Sequence, residues 1–350
     1  MIRISKSLPE NTAALIYTPI NRRYLTGFES SLGFLLISKN DSCLFVDGRY
    51  ILAAKQTVTK CRVELFSKIS DNLKEFVNKN NVKTLFCEET LTVAEFKRFK
   101  NMLSDIEVIT DCDLQKDIES LRRIKTDYEV ECIVKAQSIA EKAFTETLDF
   151  IKVGVTEREV AAFLEYKMKS YGSEMPSFDT IVVSGVKSAM PHGVPDGKQI
   201  EAGDFITFDF GAVVNGYHSD MTRTVAVGLA TDKMQIVYDT VLKAQMAAEK
   251  MVKSGIKCSA VDKAAREVIS NAGYGKYFTH STGHGIGLEI HEAPTVSQLS
   301  ESVLEAGNVI SNEPGIYIDG EFGVRIEDML FVTDNGSKNL TNCKKSLIIL

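Results

Sequence analysis

The 350-residue sequence has no tryptophan, only five histidines, and seven cysteines that form no Cys-x-x-Cys pair. Cysteines that are scattered and odd in number exclude a disulfide framework and a zinc–thiolate site, and they predict a reducing, cytoplasmic environment. No apolar run approaches the ~20 residues that a membrane span needs. The opening residues, Met1–Lys6, turn polar too soon for the apolar region of a signal peptide.

Basic tracts are missing as well. No stretch of five or more basic residues occurs, and the net charge is −6, from 41 basic and 47 acidic residues. A mildly acidic chain of this kind is not expected to bind nucleic acid or an anionic membrane. Hydrophobic residues at 44% and charged residues at 25% are ordinary for a globular protein and exclude a disordered chain. The length predicts about two domains.

The first third of the chain alternates strand-like and helix-like segments. A predicted strand pair lies within residues 33–47, and apolar residues at helical spacing follow at 69–78. This alternation predicts an α/β domain over residues 1–118. A charged stretch at 113–130 predicts a linker that leads into a long amphipathic helix. Residues 119–350 form the second predicted domain.

The second domain contains an internal repeat. Residues 201–211 and 305–315 both follow the pattern E-A-G-x-x-I-[S/T]-x-[D/E]-x-G, and Lys-Ala-Gln recurs near the start of each half at an offset of roughly one hundred residues. Ordered matches at a constant offset indicate an internal duplication. Each half then reads as two helices followed by antiparallel strands, and the first strand of the second half is predicted at about 287–291. The prediction is an α+β domain with a pseudo-twofold axis, where a site takes acidic residues from both halves.

The repeat places Asp209 and Glu313 at equivalent positions, each at the end of an apolar run and two residues before a glycine. A second acid follows a glycine-containing turn in each half, Asp220 in the first and Glu327 in the second. Antiparallel hairpins bring such pairs together. Four converging carboxylates repel one another unless a cation lies between them. The four acids therefore predict a dinuclear metal centre.

A fifth ligand is predicted within residues 280–292, which hold three of the five histidines. Gly283 and Gly285 flank His284 and allow the backbone a close approach. The zinc motif HExxH is absent, because His291-Glu292 is followed by Ala-Pro-Thr. Four carboxylates and one imidazole are hard ligands that favour manganese over structural zinc. Two divalent ions held in this way stabilise the charge that develops during hydrolysis.

The four acids and His284 together resemble the five metal ligands of the "pita-bread" metallopeptidases. This family includes methionine aminopeptidase, aminopeptidase P and prolidase, with creatinase as a metal-free relative. Residues 21–28 and 46–50 look like the creatinase-like N-terminal domain, and residues 122–129 look like the junction helix, so the resemblance covers essentially the whole chain. The motifs that carry it are Thr207-Phe-Asp209-Phe-Gly211, His218-Ser-Asp220-Met-Thr-Arg, Ser281-Thr-Gly-His284-Gly-Ile-Gly, Asn312-Glu313-Pro-Gly-Ile-Tyr317 and Gly323-Val-Arg325-Ile-Glu327-Asp.

The resemblance implies hydrolysis of the peptide bond between an N-terminal residue and proline, with two divalent ions per chain, manganese first and cobalt or zinc as alternatives. It implies a peptide substrate with proline in second position, and a homodimer. Arg325 is expected to pair with a ligating carboxylate or with the carboxylate of a dipeptide. The implied roles are catalysis for His192, His291 and Glu313, substrate binding for His280, Arg325 and Tyr317, and metal binding for Asp209, Asp220, His284, Glu313 and Glu327.

Several alternatives stay open at this point. A non-catalytic binding protein on the same fold, or an amidinohydrolase like creatinase, is expected to lose metal ligands, whereas all five positions are intact here. Methionine aminopeptidases of the simple type lack the N-terminal domain and are a weaker match. Within the Xaa-Pro branch, the sequence does not separate a dipeptidase from an aminopeptidase that takes longer peptides.

Overall fold

The computed structural model describes residues 2–110 and 112–350, and the chain divides into two compact units, Met1–Arg122 and Arg123–Leu350. Among these described residues, each unit contains two clusters of buried apolar side chains. Within the described ranges, no helix combines the length and the apolar character that crossing a membrane requires.

The first unit is an α/β domain, as predicted, built on one six-stranded mixed sheet. Its elements are α1 (Ile2–Ser7), β1 (Thr12–Ile16), α2 (Pro19–Thr26), β2 (Gly33–Ser38), β3 (Ser42–Val46), α3 (Ile51–Thr57), β4 (Arg62–Leu65), α4 (Ile69–Lys79), β5 (Thr84–Cys87), α5 (Val93–Met102), β6 (Glu107–Ile109) and α6 (Leu114–Arg123).

The strand order in this sheet is β4-β3-β2-β1-β5-β6. Strand β1 pairs antiparallel with β2 and parallel with β5. Strand β2 is buried along its whole length, because α4 and α5 pack on one face of the sheet and the remaining helices pack on the other. In α4, Leu73, Phe76 and Val77 form the buried stripe that the helical spacing predicts.

The second unit has two halves, each with two helices followed by strands, which confirms the duplicated fold predicted from the repeat. The first half contains α7 (Asp127–Phe150), α8 (Glu157–Ser170), β7 (Ile181–Ser184), β8 (Phe205–Phe210), β9 (Val213–Val214), β10 (Tyr217–His218) and β11 (Met221–Ala226). The second contains α9 (Asp232–Met251), α10 (Cys258–Asn271), β12 (Gly283–Gly285), β13 (Glu292–Val296), β14 (Val309–Asn312), β15 (Gly315–Ile318), β16 (Phe322–Arg325), β17 (Asp328–Val332) and β18 (Ser337–Asn339), and β19 (Ile348–Ile349) ends the chain.

The strands form one larger sheet in each half. Their orders are β19-β11-β8-β7 and β13-β12-β14-β17-β18, and β9-β10 and β15-β16 are two-stranded ribbons. Alternation along β8 turns Phe208 and Phe210 toward Phe144 of α7, with ring centroids 5.3 and 5.6 Å apart, and turns Asp209 to the opposite face. The apolar core thus fixes the direction of the first predicted acid.

Candidate active site

The first acidic pair lies on a hairpin of the first half. Asp209 is the fifth residue of β8, and Asp220 immediately precedes β11. Asn215 and Gly216 turn the hairpin with φ angles of 50° and 78°, which suits a tight two-residue turn. A Cβ at Gly211 would lie 1.8 Å from a backbone oxygen of the opposite arm. The hairpin therefore closes only with glycine at this position.

The second acidic pair takes the equivalent place in the second half. Glu313 follows β14, Glu327 precedes β17, and the β15–β16 ribbon separates them. The backbone N–H of Glu327 donates to the Thr222 carbonyl at 3.1 Å. The Thr222 hydroxyl donates to Glu327 Oε2 at 2.7 Å. Because Thr222 pairs with Asp209 across the first hairpin, these two bonds join both acidic pairs.

His284 lies within reach of acids from both halves. Its Nε2 atom is 3.6 Å from Asp220 Oδ2 and 3.5 Å from Glu313 Oε1. Asp220, His284 and Glu327 each offer one ligand atom, and these three atoms lie within 4.8 Å of one another. The other ring nitrogen, Nδ1, is 3.1 Å from the Gly285 carbonyl, an interaction that orients Nε2 toward the acids.

Arg325 is the cation that holds Asp209. Its Nη2 donates to Asp209 Oδ2 at 2.6 Å, its Nη1 to the Tyr317 hydroxyl at 2.7 Å, and its Nε to the Thr222 hydroxyl at 3.0 Å. Burial opposes the charged guanidinium, but Tyr317, Asp209 and Glu313 together raise the pKa of Arg325. Arg325 was expected to pair with a metal-ligating carboxylate or with the carboxylate of a dipeptide. The structure shows it paired with Asp209, one of the predicted metal ligands.

Three carboxylate oxygens of this cluster, Asp209 Oδ1, Asp220 Oδ1 and Glu327 Oε1, are buried without a hydrogen-bond partner among the described residues. Burial, and then the neighbouring carboxylates, raise the pKa values of Asp220 and Glu327 well above their usual range. Burial also raises the pKa of Glu313 to about 8. Buried charges of one sign are unfavourable without a counter-charge. Divalent cations would bind these oxygens and cancel the repulsion, so the residues fit a metal site.

Two of the remaining histidines, His280 and His291, contact residues of the site. His280 Nε2 is 2.9 Å from the Tyr317 hydroxyl, and burial, with smaller effects of Arg325 and His192, lowers the pKa of His280 to about 4. The ring is therefore neutral near pH 7. The His291 ring meets the His284 ring edge-on at 4.3 Å between centroids. His192 and His291 are exposed, whereas His280 is half-buried.

Two residues that the sequence reasoning did not single out also contact the predicted ligands. Thr222 bonds Glu327 and Arg325, as described above. Ser311 Oγ accepts from the His284 N–H at 3.0 Å and donates to Glu313 Oε1 at 3.3 Å. Both lie two positions from a predicted acid, Thr222 after Asp220 and Ser311 before Glu313. The period of two along a strand is the signal that would have placed them on the same face.

A duplicated α+β domain that gathers four carboxylates, an imidazole and three further histidines has the features of a metal-dependent hydrolase. Residues 131–334 match the family described as "Metallopeptidase family M24", and residues 10–124 match the "Creatinase/Prolidase N-terminal domain". The chain belongs to metallopeptidase family M24, and its fold is the pita-bread fold with a creatinase-type N-terminal domain.

Individual proteins are similar over nearly the whole length. A protein of Pyrococcus furiosus named Xaa-Pro dipeptidase is 42% identical over 350 residues, which cover 99% of this chain and 98% of the relative. A solved structure of an Xaa-Pro dipeptidase from Bacillus anthracis superposes with a TM-score of 0.93 at 42% identity, covering 97% of this chain and 95% of that one. The X-Pro aminopeptidase from Thermotoga maritima gives 0.94 at 38% identity, with 99% and 100% covered.

Proposed function

We propose that this chain hydrolyses the peptide bond between an N-terminal residue and proline, with divalent metal as cofactor. The observation that carries the proposal is the buried cluster of Asp209, Asp220, His284, Glu313 and Glu327, in which three carboxylate oxygens have no partner in the described part of the chain. The names of the similar proteins, Xaa-Pro dipeptidase and X-Pro aminopeptidase, support proline as the second residue of the substrate.

The five clustered residues would hold two divalent ions, with manganese favoured by the oxygen-rich donor set and cobalt or zinc as alternatives. Bound divalent ions of this kind polarise a scissile carbonyl and activate water at neutral pH. Arg325 orients Asp209, and Thr222 orients Glu327, through the bonds described above. Their contribution is to hold the carboxylate oxygens in place before the cations bind.

Glu313 is the proposed proton carrier of the reaction. A carboxylate that lies beside the attacking water can take up the proton of that water and then release it again. We propose that it accepts a proton from the attacking water and delivers it to the departing proline nitrogen. Ser311, 3.3 Å from Glu313 Oε1, fixes the orientation of this carboxyl group.

The histidines and Tyr317 are proposed to bind substrate. His192 and His291 are exposed, so a peptide can reach their rings, and each is proposed to donate a hydrogen bond to the carbonyl oxygen as negative charge develops there. His280 and Tyr317, bonded to each other at 2.9 Å, are proposed to line the proline pocket. Among the described residues, Arg325 uses four of its five N–H donors on Tyr317, Asp209, Thr222 and the carbonyl of residue 191. The fifth donor is proposed to bind substrate.

Proline gives a physical reason for a dedicated enzyme. It has no backbone N–H and its φ angle is fixed, so the strand-like pairing that many peptidases impose on a substrate fails at this residue. We further propose that the chain acts in the cytoplasm as a homodimer. Whether it takes dipeptides alone or also longer peptides depends on what bounds the cleft beyond proline.

The test compares an Xaa-Pro dipeptide with an Xaa-Pro-Yaa tripeptide in manganese, cobalt, zinc and after chelation. Metal-dependent cleavage of either peptide is the expected result. Glu327→Gln should abolish cleavage, whereas the control Glu321→Gln, an exposed acid paired with Lys233, should retain it. Failure to cleave either peptide in any metal would contradict the proposal. Cleavage of methionyl peptides instead would support a methionine-type aminopeptidase, and metal binding without any cleavage would support a binding protein.

A further inference from the structure

A buried ion pair on α10 lies behind the segment that carries His280. Asp262 and Arg266 are one helical turn apart, and Arg266 Nε and Nη2 lie 2.9 and 3.0 Å from the two carboxylate oxygens of Asp262. The Asp262 side chain is fully buried and the Arg266 side chain is 18% exposed. A two-point pair of this kind fixes the direction of the guanidinium as well as its position.

The remaining bonds of the pair leave the helix and reach residues 278–282. Arg266 Nη1 donates to the Phe278 carbonyl at 2.9 Å, and Nη2 donates to the His280 carbonyl at 2.8 Å. Asp262 Oδ1 accepts from the Thr282 backbone N–H at 3.2 Å and from its hydroxyl at 2.9 Å. Three alternate residues of one short segment are thus held by a single pair of side chains.

The held segment contacts the candidate active site on its other side. The His280 ring meets the Tyr317 hydroxyl at 2.9 Å. The Thr282 carbonyl accepts from the Glu313 backbone N–H at 2.8 Å. A shift of the backbone at residues 280–282 would therefore move the His280 imidazole relative to Tyr317. It would also disturb the hydrogen bond between the Thr282 carbonyl and the Glu313 backbone.

We propose that Asp262 and Arg266 are positioning residues for His280. They hold the backbone at residues 278, 280 and 282, so that the imidazole stays against Tyr317 and faces the substrate. The inference rests on the proposed function, because His280 is a substrate-binding residue only there. Asp262 and Arg266 are proposed to act through His280 without touching the substrate.

The first experiment measures kcat/KM on an Xaa-Pro peptide for Arg266→Met. We expect a loss of about tenfold or more, since a displacement near 1 Å in an active site can cost on the order of 100-fold. Lys263→Met is the matched control, because the Lys263–Glu267 pair lies on the same helix at the surface. It should stay within about twofold of wild type. A loss for Arg266→Met no larger than that of the control would overturn the proposal.

A second pair of variants removes or keeps the hydrogen bond between Thr282 and Asp262. Thr282→Val deletes the hydroxyl that donates to Asp262, whereas Thr282→Ser keeps it. Activity should fall for the valine variant and be restored by serine. Equal activities of the two would contradict the proposal, and this comparison remains decisive if Arg266→Met does not fold.

A double-mutant cycle separates positioning from a general effect on stability. If Arg266 acts mainly through His280, then Arg266→Met should cause a clearly smaller loss of kcat/KM in a His280→Ala background than in the wild type. Losses that multiply would show that Arg266 acts by another route and would overturn the proposal.

Amide hydrogen exchange supplies a readout that needs neither substrate nor metal. Arg266→Met should raise the exchange rate of residues 278–284 selectively, and Lys263→Met should not. Unchanged protection of the amides of residues 278–284 in Arg266→Met would contradict the proposal that the Asp262–Arg266 pair holds this segment. If the wild-type chain cleaves no Xaa-Pro peptide, the proposed function fails, but the exchange result still decides whether the pair holds this segment.

Discussion

Arg223 is expected to be among the most important residues for the stability of the second unit. Its guanidinium is 1% exposed and pairs at 2.8 Å with Asp328, whose side chain is fully buried. It also donates to the carbonyls of Thr222 at 2.9 Å and Glu327 at 2.5 Å, and to those of residues 343 and 344 at 2.8 and 3.1 Å. Arg223 therefore ties the end of the chain to the backbone of the candidate metal centre.

The cost of Arg223→Met follows from these contacts. Removing one partner of a buried ion pair costs about 3–5 kcal/mol, because the other charge stays buried. Lys345, 2.8 Å from Asp328, remains as a counter-charge, so the lower limit of about 3 kcal/mol applies. For a domain of this size, each kcal/mol corresponds to roughly 2–4 °C in Tm. The expected decrease in Tm is therefore about 6–12 °C.

The assay is scanning calorimetry of the full chain. Lys233→Met is the control, since Lys233 pairs with Glu321 at the surface and such pairs contribute about 0–1 kcal/mol. A Tm for Arg223→Met that lies as close to wild type as that of the control would contradict the expected destabilisation, because the buried pair would then contribute no more than an exposed one.

Three further predictions concern the site. Thr222→Val removes the hydroxyl that donates to Glu327 Oε2 and should weaken manganese binding about tenfold in a calorimetric titration. Thr222→Ser keeps the hydroxyl and should bind manganese as the wild type does. Equal affinities of the two variants would contradict a role of Thr222 in orienting Glu327. Gly211→Ala places a Cβ 1.8 Å from a backbone oxygen and should abolish cooperative unfolding of the second unit; a wild-type Tm would disprove it. Burial lowers the pKa of His280 to about 4 in the folded state, so the unfolded chain binds more protons than the folded chain between pH 6.5 and 4. The free energy of unfolding should therefore fall as pH decreases from about 6.5 to about 4. In urea titrations, His280→Gln should make this pH dependence weaker, and an unchanged pH dependence would contradict the prediction.

The features of the site that follow from local periodicity could be predicted from the sequence. The repeat placed Asp209 and Glu313 at equivalent strand ends, and the alternation of Phe208, Asp209 and Phe210 turned the acid away from the core. These features depend on strand geometry, and the structure shows the same alternation in the packing against Phe144. The predicted roles of the site residues remain proposals.

Contacts between distant residues could not be predicted in the same way. Arg325 bonds Asp209 across 116 positions and Thr222 bonds Glu327 across 105, and no local pattern encodes either pairing. The Asp262–Arg266 pair resembles any i, i+4 pair on a helix surface until the fold shows what covers it.

One predicted strand was wrong. A strand was expected at residues 287–291, but the chain bends there and the strand begins at Glu292. The bend has a structural reason: a Cβ at Gly287 would lie 2.5 Å from Glu292 Oε2, so glycine lets the Glu292 side chain fold back. Lys125 then pairs with Glu292 at 3.0 Å, with both side chains nearly inaccessible to solvent. This contact joins positions 167 residues apart, so no local pattern within the segment predicts it.

A calorimetric titration of the chelated protein with manganese tests the proposed metal centre. The proposed centre predicts saturable binding of two ions per chain in the wild type, and loss of binding in Asp220→Asn and in Glu327→Gln. Binding in Glu321→Gln should match the wild type. An absence of saturable binding, or binding that both site variants retain unchanged, would contradict a metal centre at the buried carboxylates.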